Sequence, residues 1–454
     1  MVLGILLAAL AAAGCDGAPD DVPMPKVEPG AGRTPVILIP GAEASTLVSG
    51  DGEVLWAATF THLFDPSTFE HLARPLTPGL DSGERLIPAD IIRGFPGEDY
   101  YAGLIQSLAQ RAGGPCVLPD AVGPKSRCIL FPWDWRLDLP LAAARLDKLI
   151  DHVRRVQHDP ALRVDLVGHS AGGLVVRYFV RFGARDVLQT RPEQVRVDFA
   201  GARKVRRAAL IAAPNDGSVY GLKLMMRGHQ LGLVALRPEL LAVMPAAYQA
   251  LPRPDRPWVV DMDGGPLPRD LYDPSTWRVL RQSIFDPQAR RRVREEPDGK
   301  QRLTDLEDWF QLALERGRRF QLALARPVRM PFAYDIFAAD CAPTPTHFVE
   351  ERIDGVPRLR FSPDEIEHPR PGVDYAALMY GPGDGWVTRS SALGRSAHQD
   401  PPAFDVQNAV LGCAGHAELP RFDSVRNTLV GILTLADVDG RWAAVRFNER
   451  RAGR

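Results

Sequence analysis

The chain has 454 residues, 45% of them hydrophobic, 24% charged and 8% aromatic, which excludes a disordered polymer and allows a large core. Lys and Arg number 55 against 56 Asp and Glu, so the formal net charge is -1 and no global field draws the chain to nucleic acid. The length fits about two to four ordinary domains or one large domain carrying insertions.

Residues 1–15 read as a signal peptide. Val2 to Gly14 is an apolar run shorter than the roughly 20 residues of a membrane span. It ends in Ala12-Ala13-Gly14-Cys15, which resembles a bacterial lipobox with Cys15 as the lipidated residue; a plain cleaved secretory signal is the alternative. Residues 16–33, rich in Pro, Asp and Gly, read as a flexible tether. Either reading exports the protein from a bacterial cell, to a membrane-anchored periplasmic or surface position or into the medium. Four further cysteines, Cys116, Cys128, Cys341 and Cys413, suit two disulfides in an oxidising compartment. Cys116–Cys128 with Cys341–Cys413 is the expected pairing, and buried free thiols are the alternative.

In chain order, Pro35 to Pro40 reads as a buried parallel strand and Tyr101 to Arg111 as a helix. Cys128 to Phe131 follows as a strand. Leu146, Leu149, Ile150, Val153 and Val156 then share one helical face between Leu141 and Val156. Val164–Val167 reads as a strand, Gly172–Phe182 as a helix and Ala208–Ile211 as a strand. This alternation predicts an α/β fold with a mostly parallel central sheet covered by helices on both faces. Residues 34–221 form the first part of that core. Residues 222–330, rich in helix signals, Pro and Arg and without a clear strand, read as a mainly helical cap. Residues 331–440 return to the core through Phe332–Ala338, a hairpin at Phe348–Phe361, a strand at Val406–Leu411 and a helix at Asp423–Leu435; 441–454 read as a tail. Arg290-Arg291-Arg292-Val293-Arg294 reads as a solvated face of the cap, an anionic-lipid contact being the alternative.

Chemistry enters at Gly168-His169-Ser170-Ala171-Gly172, a G-x-S-x-G run set between a strand and a helix. This is the context of a nucleophile elbow: the serine occupies a strained turn, and the following helix aims its N-terminus at a developing oxyanion. Ser170 is therefore the candidate nucleophile. In the α/β-hydrolase fold the partners follow in the order Ser, Asp, His. Asp384, in Gly383-Asp384-Gly385, is the candidate acid. Of ten histidines only His398 and His416 lie beyond it; His416 follows a strand and is the candidate base. The N–H groups of Ala171 and of Ala42, in the loop after the first strand, are the candidate oxyanion donors.

Several motifs together resemble the lecithin:cholesterol acyltransferase family. They are Pro35 to Gly41, Trp133-Asp134-Trp135-Arg136, the elbow, Ala213-Pro214 with Gly217-Ser218, Tyr248-Gln249-Ala250-Leu251-Pro252, Gly383-Asp384-Gly385 and His416. The resemblance implies an α/β-hydrolase core with a helical cap and an N-terminal lid over about residues 47–99. It assigns the same triad and oxyanion donors. In the lid, Leu55, Trp56, Phe60 and Phe64 would contact substrate acyl chains, packing of a satellite helix being the alternative. Asn215-Asp216 stands where the family has a tryptophan-glycine pair, which would alter the acyl pocket. No cofactor and no metal-ligand spacing is read from the sequence. The expected function is a serine-dependent acyl hydrolase or O-acyltransferase acting on a phospholipid or other lipid ester, at a membrane surface met through the anchor and lid. The alternatives are a carboxylesterase or cell-wall or polymer esterase of the same fold, and a catalytically inactive lipid-anchored binding protein.

Overall fold

The computed structural model describes residues 34–56, 72–73, 76, 86–95, 98–231, 234–327, 333–394 and 404–435. The expected signal peptide with Cys15, the tether, Phe60, Phe64, His398 and the tail lie outside the described residues.

Seven strands form the central sheet: β1 (Val36–Ile39), β2 (Cys116–Val117), β3 (Cys128–Leu130), β4 (Val164–His169), β5 (Val205–Ile211), β6 (Ala333–Ala339) and β7 (Asp405–Gly412). Their spatial order is β7-β6-β5-β4-β1-β3-β2, and every pairing is parallel. The sheet is thus an α/β-hydrolase type of α/β sheet. Alternation along β1 shows how it is covered. Ile37 and Ile39 join the core shared with helices α2 (Leu139–Val156) and α3 (Ala171–Phe182). Val36 and Leu38 join the opposite core, with α1 (Ala102–Ala112) and a closing helix at Asp423–Thr434. Both faces are dry, which is why the inner strands read as short unbroken apolar runs. Burial of each Ile, Leu or Val contributes about 1.5–3 kcal/mol.

The strand order reverses at β1. The chain leaves β1 between β4 on one side and β3 on the other, so the loops beyond their carboxyl ends diverge and leave a crevice. Asp165, fully buried near the start of β4, fastens the opposite, amino end of the sheet to its helices. It accepts from Arg111 of α1 at 2.8 Å and from Arg206 of β5, and both guanidinium groups also donate to the Leu433 carbonyl at 2.7 Å.

The region between β5 and β6 combines helices with short strands. Its longest helix, Gly299–Ala325, buries Trp309, Phe310, Ala313 and Leu314, and Phe310 meets Tyr248, Trp277 and Phe285 edge-on. It also contains an antiparallel hairpin, His229–Leu231 with Val234–Leu236, and a strand at Val259–Val260. That last strand pairs with Phe348–Val349, so the 348–361 hairpin builds a small sheet with the cap segment and not with the central sheet. Strands of two or three residues are too short to show a period of two, and the sequence pattern missed them. Asp138 anchors the cap to the core, accepting from Arg316 of the long helix and from Gln249; Gln249 in turn accepts from the Leu139 N–H at 2.8 Å. At the described ends of the 47–99 interval, Ser45–Val48, Val54–Trp56 and Ile87–Ile91 form a three-stranded antiparallel sheet.

Removing the Asp165 carboxylate leaves Arg111 buried without its counter-charge. Asp165→Ala is expected to lower stability by about 3–5 kcal/mol, read from urea denaturation midpoints at constant slope.

Candidate active site

β4 delivers Ser170 into a turn that an L-residue enters only under strain, with φ 51° and ψ −125°. Such a conformation costs on the order of 1–3 kcal/mol and persists only where the surroundings enforce it. Here the Ser170 N–H donates to the Ile211 carbonyl of β5 at 2.8 Å, and α3 begins at the next residue. The flanking glycines are required by close approach. A Cβ on Gly168 would stand 2.8 Å from the Gly172 carbonyl oxygen, and one on Gly172 would stand 2.4 Å from the carbonyl oxygens of both Ile39 and Pro40. The elbow therefore presses directly on the end of β1. Ser170 is half-buried, with its hydroxyl projecting from the carboxyl edge of the sheet.

Two segments that follow the cap meet this serine. His416 Nε2 lies 2.9 Å from Ser170 Oγ, and His416 Nδ1 lies 2.9 Å from Asp384 Oδ2. Asp384 and His416 are buried, whereas the serine they serve is reachable. The second carboxylate oxygen of Asp384 accepts from the N–H groups of Trp386 at 2.9 Å and Val387 at 2.7 Å. Burial disfavours its ionisation, but the His416 ring and these N–H donors outweigh that and hold its carboxyl below the usual range. The Asp384 carbonyl also accepts the His416 N–H at 2.9 Å, which fastens acid and base backbones together. A disulfide joins Cys341, beside Asp384 in the β6 exit, to Cys413 in the β7 exit, and a second joins Cys116 to Cys128. The Trp386 indole lies flat against His416, with centroids 5.1 Å apart and planes 3° from parallel. Its other neighbours are Tyr220, stacked, and His229, edge-on.

The loop after β1 runs beside the elbow. A Cβ on Gly41 would stand 3.1 Å from the Ser170 Cβ, and Ala42 is exposed next to it. The Ala42 N–H makes no hydrogen bond among the described residues. The Ala171 N–H opens α3 and has no intrahelical acceptor. The loop is held from beneath by the tryptophans of its neighbours. The Trp133 indole donates to the Pro40 carbonyl at 2.9 Å, and the Trp56 indole donates to the Glu43 carbonyl at 2.7 Å. Glu43 has φ 62°, and its carboxylate meets His229 Nδ1 of the cap hairpin at 3.1 Å. Burial alone would lower the His229 pKa; the Glu43 carboxylate more than offsets it, so the ring titrates above its ordinary range.

The sequence-predicted residues divide accordingly. Ser170, Asp384 and His416 converge, with Ala42 and Ala171 beside them. Trp56 is buried edge-on against Trp135 at 5.2 Å, and Leu55 packs on the same core, so the two described members of the expected acyl-contact set are packing residues in this structure. Asn215 and Asp216 are likewise structural. Asn215 donates to the Ala392 carbonyl at 2.6 Å, and Asp216 pairs with Arg253 at 3.2 Å, so both side chains are engaged in the interior. Three residues that sequence patterning did not single out stand in the site. They are Trp386, Tyr101 and His169, the last being visible only as the variable position of the elbow motif. Among the described residues, no group of three or more His, Cys, Asp or Glu is arranged to hold a metal ion.

The run Trp133-Asp134-Trp135-Arg136 now has a physical reading. Trp133 clamps the Pro40 carbonyl, Arg136 pairs with Asp134 at 2.8 Å in the interior, and Trp135 backs Trp56. Residues 124–258 match the lecithin:cholesterol acyltransferase family. The match takes in this run, the elbow and the Tyr248 segment, and the resemblance read from the motifs holds over that stretch. Among solved structures, a chain of the Tle4–Tli4 complex is similar with a TM-score of 0.53 at 14% identity, covering 88% of this chain and 98% of that one. This likeness is one of fold. No curated protein matches the sequence. The lecithin:cholesterol acyltransferase match and the hydrolase-type sheet together support an enzyme acting on lipid esters.

A methyl group at position 172 must push the Ile39–Ala42 loop away from Ser170. Gly172→Ala is expected to lower stability by about 1–3 kcal/mol. It should lower ester turnover by on the order of 10²-fold, because the displaced loop carries Ala42. Thermal midpoints and kcat on a soluble nitrophenyl ester measure the two effects separately.

Proposed function

We propose that the protein is a serine-dependent acyl hydrolase or O-acyltransferase that forms an acyl-enzyme from a phospholipid or other lipid ester. The observation that carries the reading is the continuous hydrogen-bonded chain from Ser170 through His416 to Asp384, two contacts of 2.9 Å across three distant segments. The lipid class of the substrate is supported by the family match at residues 124–258.

In the proposed cycle, Ser170 Oγ attacks the ester carbonyl while its proton passes to His416 Nε2. The new Oγ–C bond converts the carbonyl oxygen into an oxyanion, which the Ala42 and Ala171 N–H groups hold. His416 then gives its proton to the departing alcohol as the C–O bond breaks. Asp384 keeps the imidazole in the Nδ1–H tautomer and stabilises its cation. Water, or a lipid alcohol in its place, then attacks the acyl carbon while giving its proton to His416, and as the Oγ–C bond breaks His416 returns that proton to Ser170. Water gives a free fatty acid and an alcohol gives a new ester, so the outcome depends on which acceptor reaches the acyl-enzyme. The two disulfides support an oxidising location, with Cys15 as the proposed lipid anchor.

Ser170→Ala is expected to reduce kcat by about 10⁶-fold with an unchanged circular dichroism spectrum, and to abolish labelling by a fluorophosphonate. Undiminished ester turnover in this variant would remove the proposal. Asp384→Asn should retain labelling but lower kcat by roughly 10⁴-fold, since the amide no longer supports the productive tautomer. Mass spectrometry of phospholipid vesicles incubated with enzyme, with and without an added long-chain alcohol, separates fatty acid release from ester formation.

A further inference from the structure

We infer that Tyr101 and His169 form a hydrogen-bond chain of one fixed polarity that sets the oxyanion loop and the base at their working separation, which makes both of them positioning residues. The inference rests on the function proposed above. Three contacts build the chain. The Gly41 N–H donates to Tyr101 Oη at 3.0 Å, Tyr101 Oη lies 2.5 Å from His169 Nδ1, and His169 Nε2 lies 3.2 Å from the His416 carbonyl oxygen. Tyr101, His169 and His416 are all buried, so water does not replace these partners.

The two ends dictate the direction of every proton. An amide N–H can only donate, so Tyr101 Oη accepts from Gly41 and its single proton is left for His169 Nδ1. A peptide carbonyl can only accept, so the proton of the neutral His169 ring must sit on Nε2. One tautomer satisfies both ends. The opposite tautomer would face the His416 carbonyl with a lone pair, and the imidazolium would strand the tyrosine proton. The groups facing His169 agree with a neutral ring: the Tyr101 ring stands edge-on at 5.6 Å and the His416 ring at 5.2 Å. Burial, reinforced by the His416 ring, outweighs the opposing His416 carbonyl and Asp384 carboxylate and pushes His169 down to about 3, and burial pushes the Tyr101 hydroxyl upward. An uncharged neighbour matters here, because His416 becomes cationic at each transition state and a charged ring at this distance would oppose it.

The end points give the chain its role. Gly41 precedes Ala42, the proposed oxyanion donor, and the carbonyl at the other end belongs to the base itself. Between them His169 is covalently joined to Ser170. The chain therefore links the three parts that must keep register during attack, without a charge and without touching substrate. It acts on the transition state more than on substrate binding, since the oxyanion position is occupied only once the carbonyl is attacked.

Tyr101→Phe keeps the ring and removes the link, leaving the Gly41 N–H and His169 Nδ1 unpartnered. With a soluble nitrophenyl ester, kcat should fall by about 10–100-fold, less than the loss of an oxyanion donor, with KM within about twofold. The rate of fluorophosphonate labelling should fall in parallel, still at Ser170. A packing role alone would lower the thermal midpoint and leave kcat in place. Nitrogen NMR of the ¹⁵N-histidine-labelled wild-type protein gives a reading that no variant has to fold for. The His169 ring, assigned through its sequential backbone correlations, should hold the neutral Nε2–H form from about pH 5 to pH 9. An unchanged kcat in Tyr101→Phe, or a His169 ring that carries its proton on Nδ1 or titrates in that interval, would overturn the inference. Ser170→Ala measured alongside keeps the two readings apart. If it is inactive while Tyr101→Phe behaves as wild type, only the chain fails; if it is fully active, the proposed function fails as well.

Discussion

The site depends on one steric fact, the contact between the nucleophile turn and the end of the first strand. Because β1 and β4 are adjacent and parallel, their exits leave the sheet side by side, and the first turn of α3 comes to rest against the carbonyls of Ile39 and Pro40. No side chain fits between them, so position 172 is glycine. The same contact supplies the confinement that a serine at φ 51° needs. It also sets the loop that carries Ala42 directly beside the elbow, where a Cβ on Gly41 would stand 3.1 Å from the Ser170 Cβ. A sheet with these two strands apart could not assemble this arrangement from backbone alone.

Around that contact the molecule spends aromatic and charged groups on fixing loops. Trp133 and Trp56 each donate an indole N–H to a carbonyl of the 40–43 loop, and Glu43 is held from the other side by His229 of the cap. Trp386 lies flat on the base, while its own N–H helps to hold the acid. The cap thus reaches the chemistry through His229, which holds Glu43 of the loop and stands edge-on to the Trp386 that covers the base, while Asn215 and Asp216 brace the interior. Charge is handled in the same way. Asp165 sits buried between Arg111 and Arg206, and Asp138 between Arg316 and the Gln249 amide, at places where helices or the cap must be fastened to the sheet.

What could be read from sequence alone follows from the range of the interactions involved. The elbow was legible because strand, strained turn and helix are contiguous, and Gly168 and Gly172 are required by contacts made close to Ser170. The parallel sheet was legible because strands buried on both faces carry unbroken apolar runs. Asp384 and His416 could be picked out because the fold dictates their order along the chain and few histidines follow Asp384. The Tyr101–His169 contact spans 68 residues and the His169–His416 contact 247, and no local pattern announces either. Trp56 was misleading for a related reason. An aromatic residue in a short strand looks the same whether it turns toward lipid or, as here, onto Trp135. The cap hairpin at 229–236 and the strand at Val259–Val260 escaped because two or three residues cannot display a period.

The order in which the pieces arrive along the chain has its own meaning. Ser170 sits on an inner strand, but His416 follows β7, the outermost strand on its side, and is 246 residues further on. During synthesis, a ribosome-bound chain can complete β1, β4 and the elbow long before it owns a proton acceptor. The hydroxyl at 170 stays an ordinary, unreactive alcohol until that edge has been laid down. Whatever reactivity the site confers is thereby withheld from the half-made chain by the order of its strands.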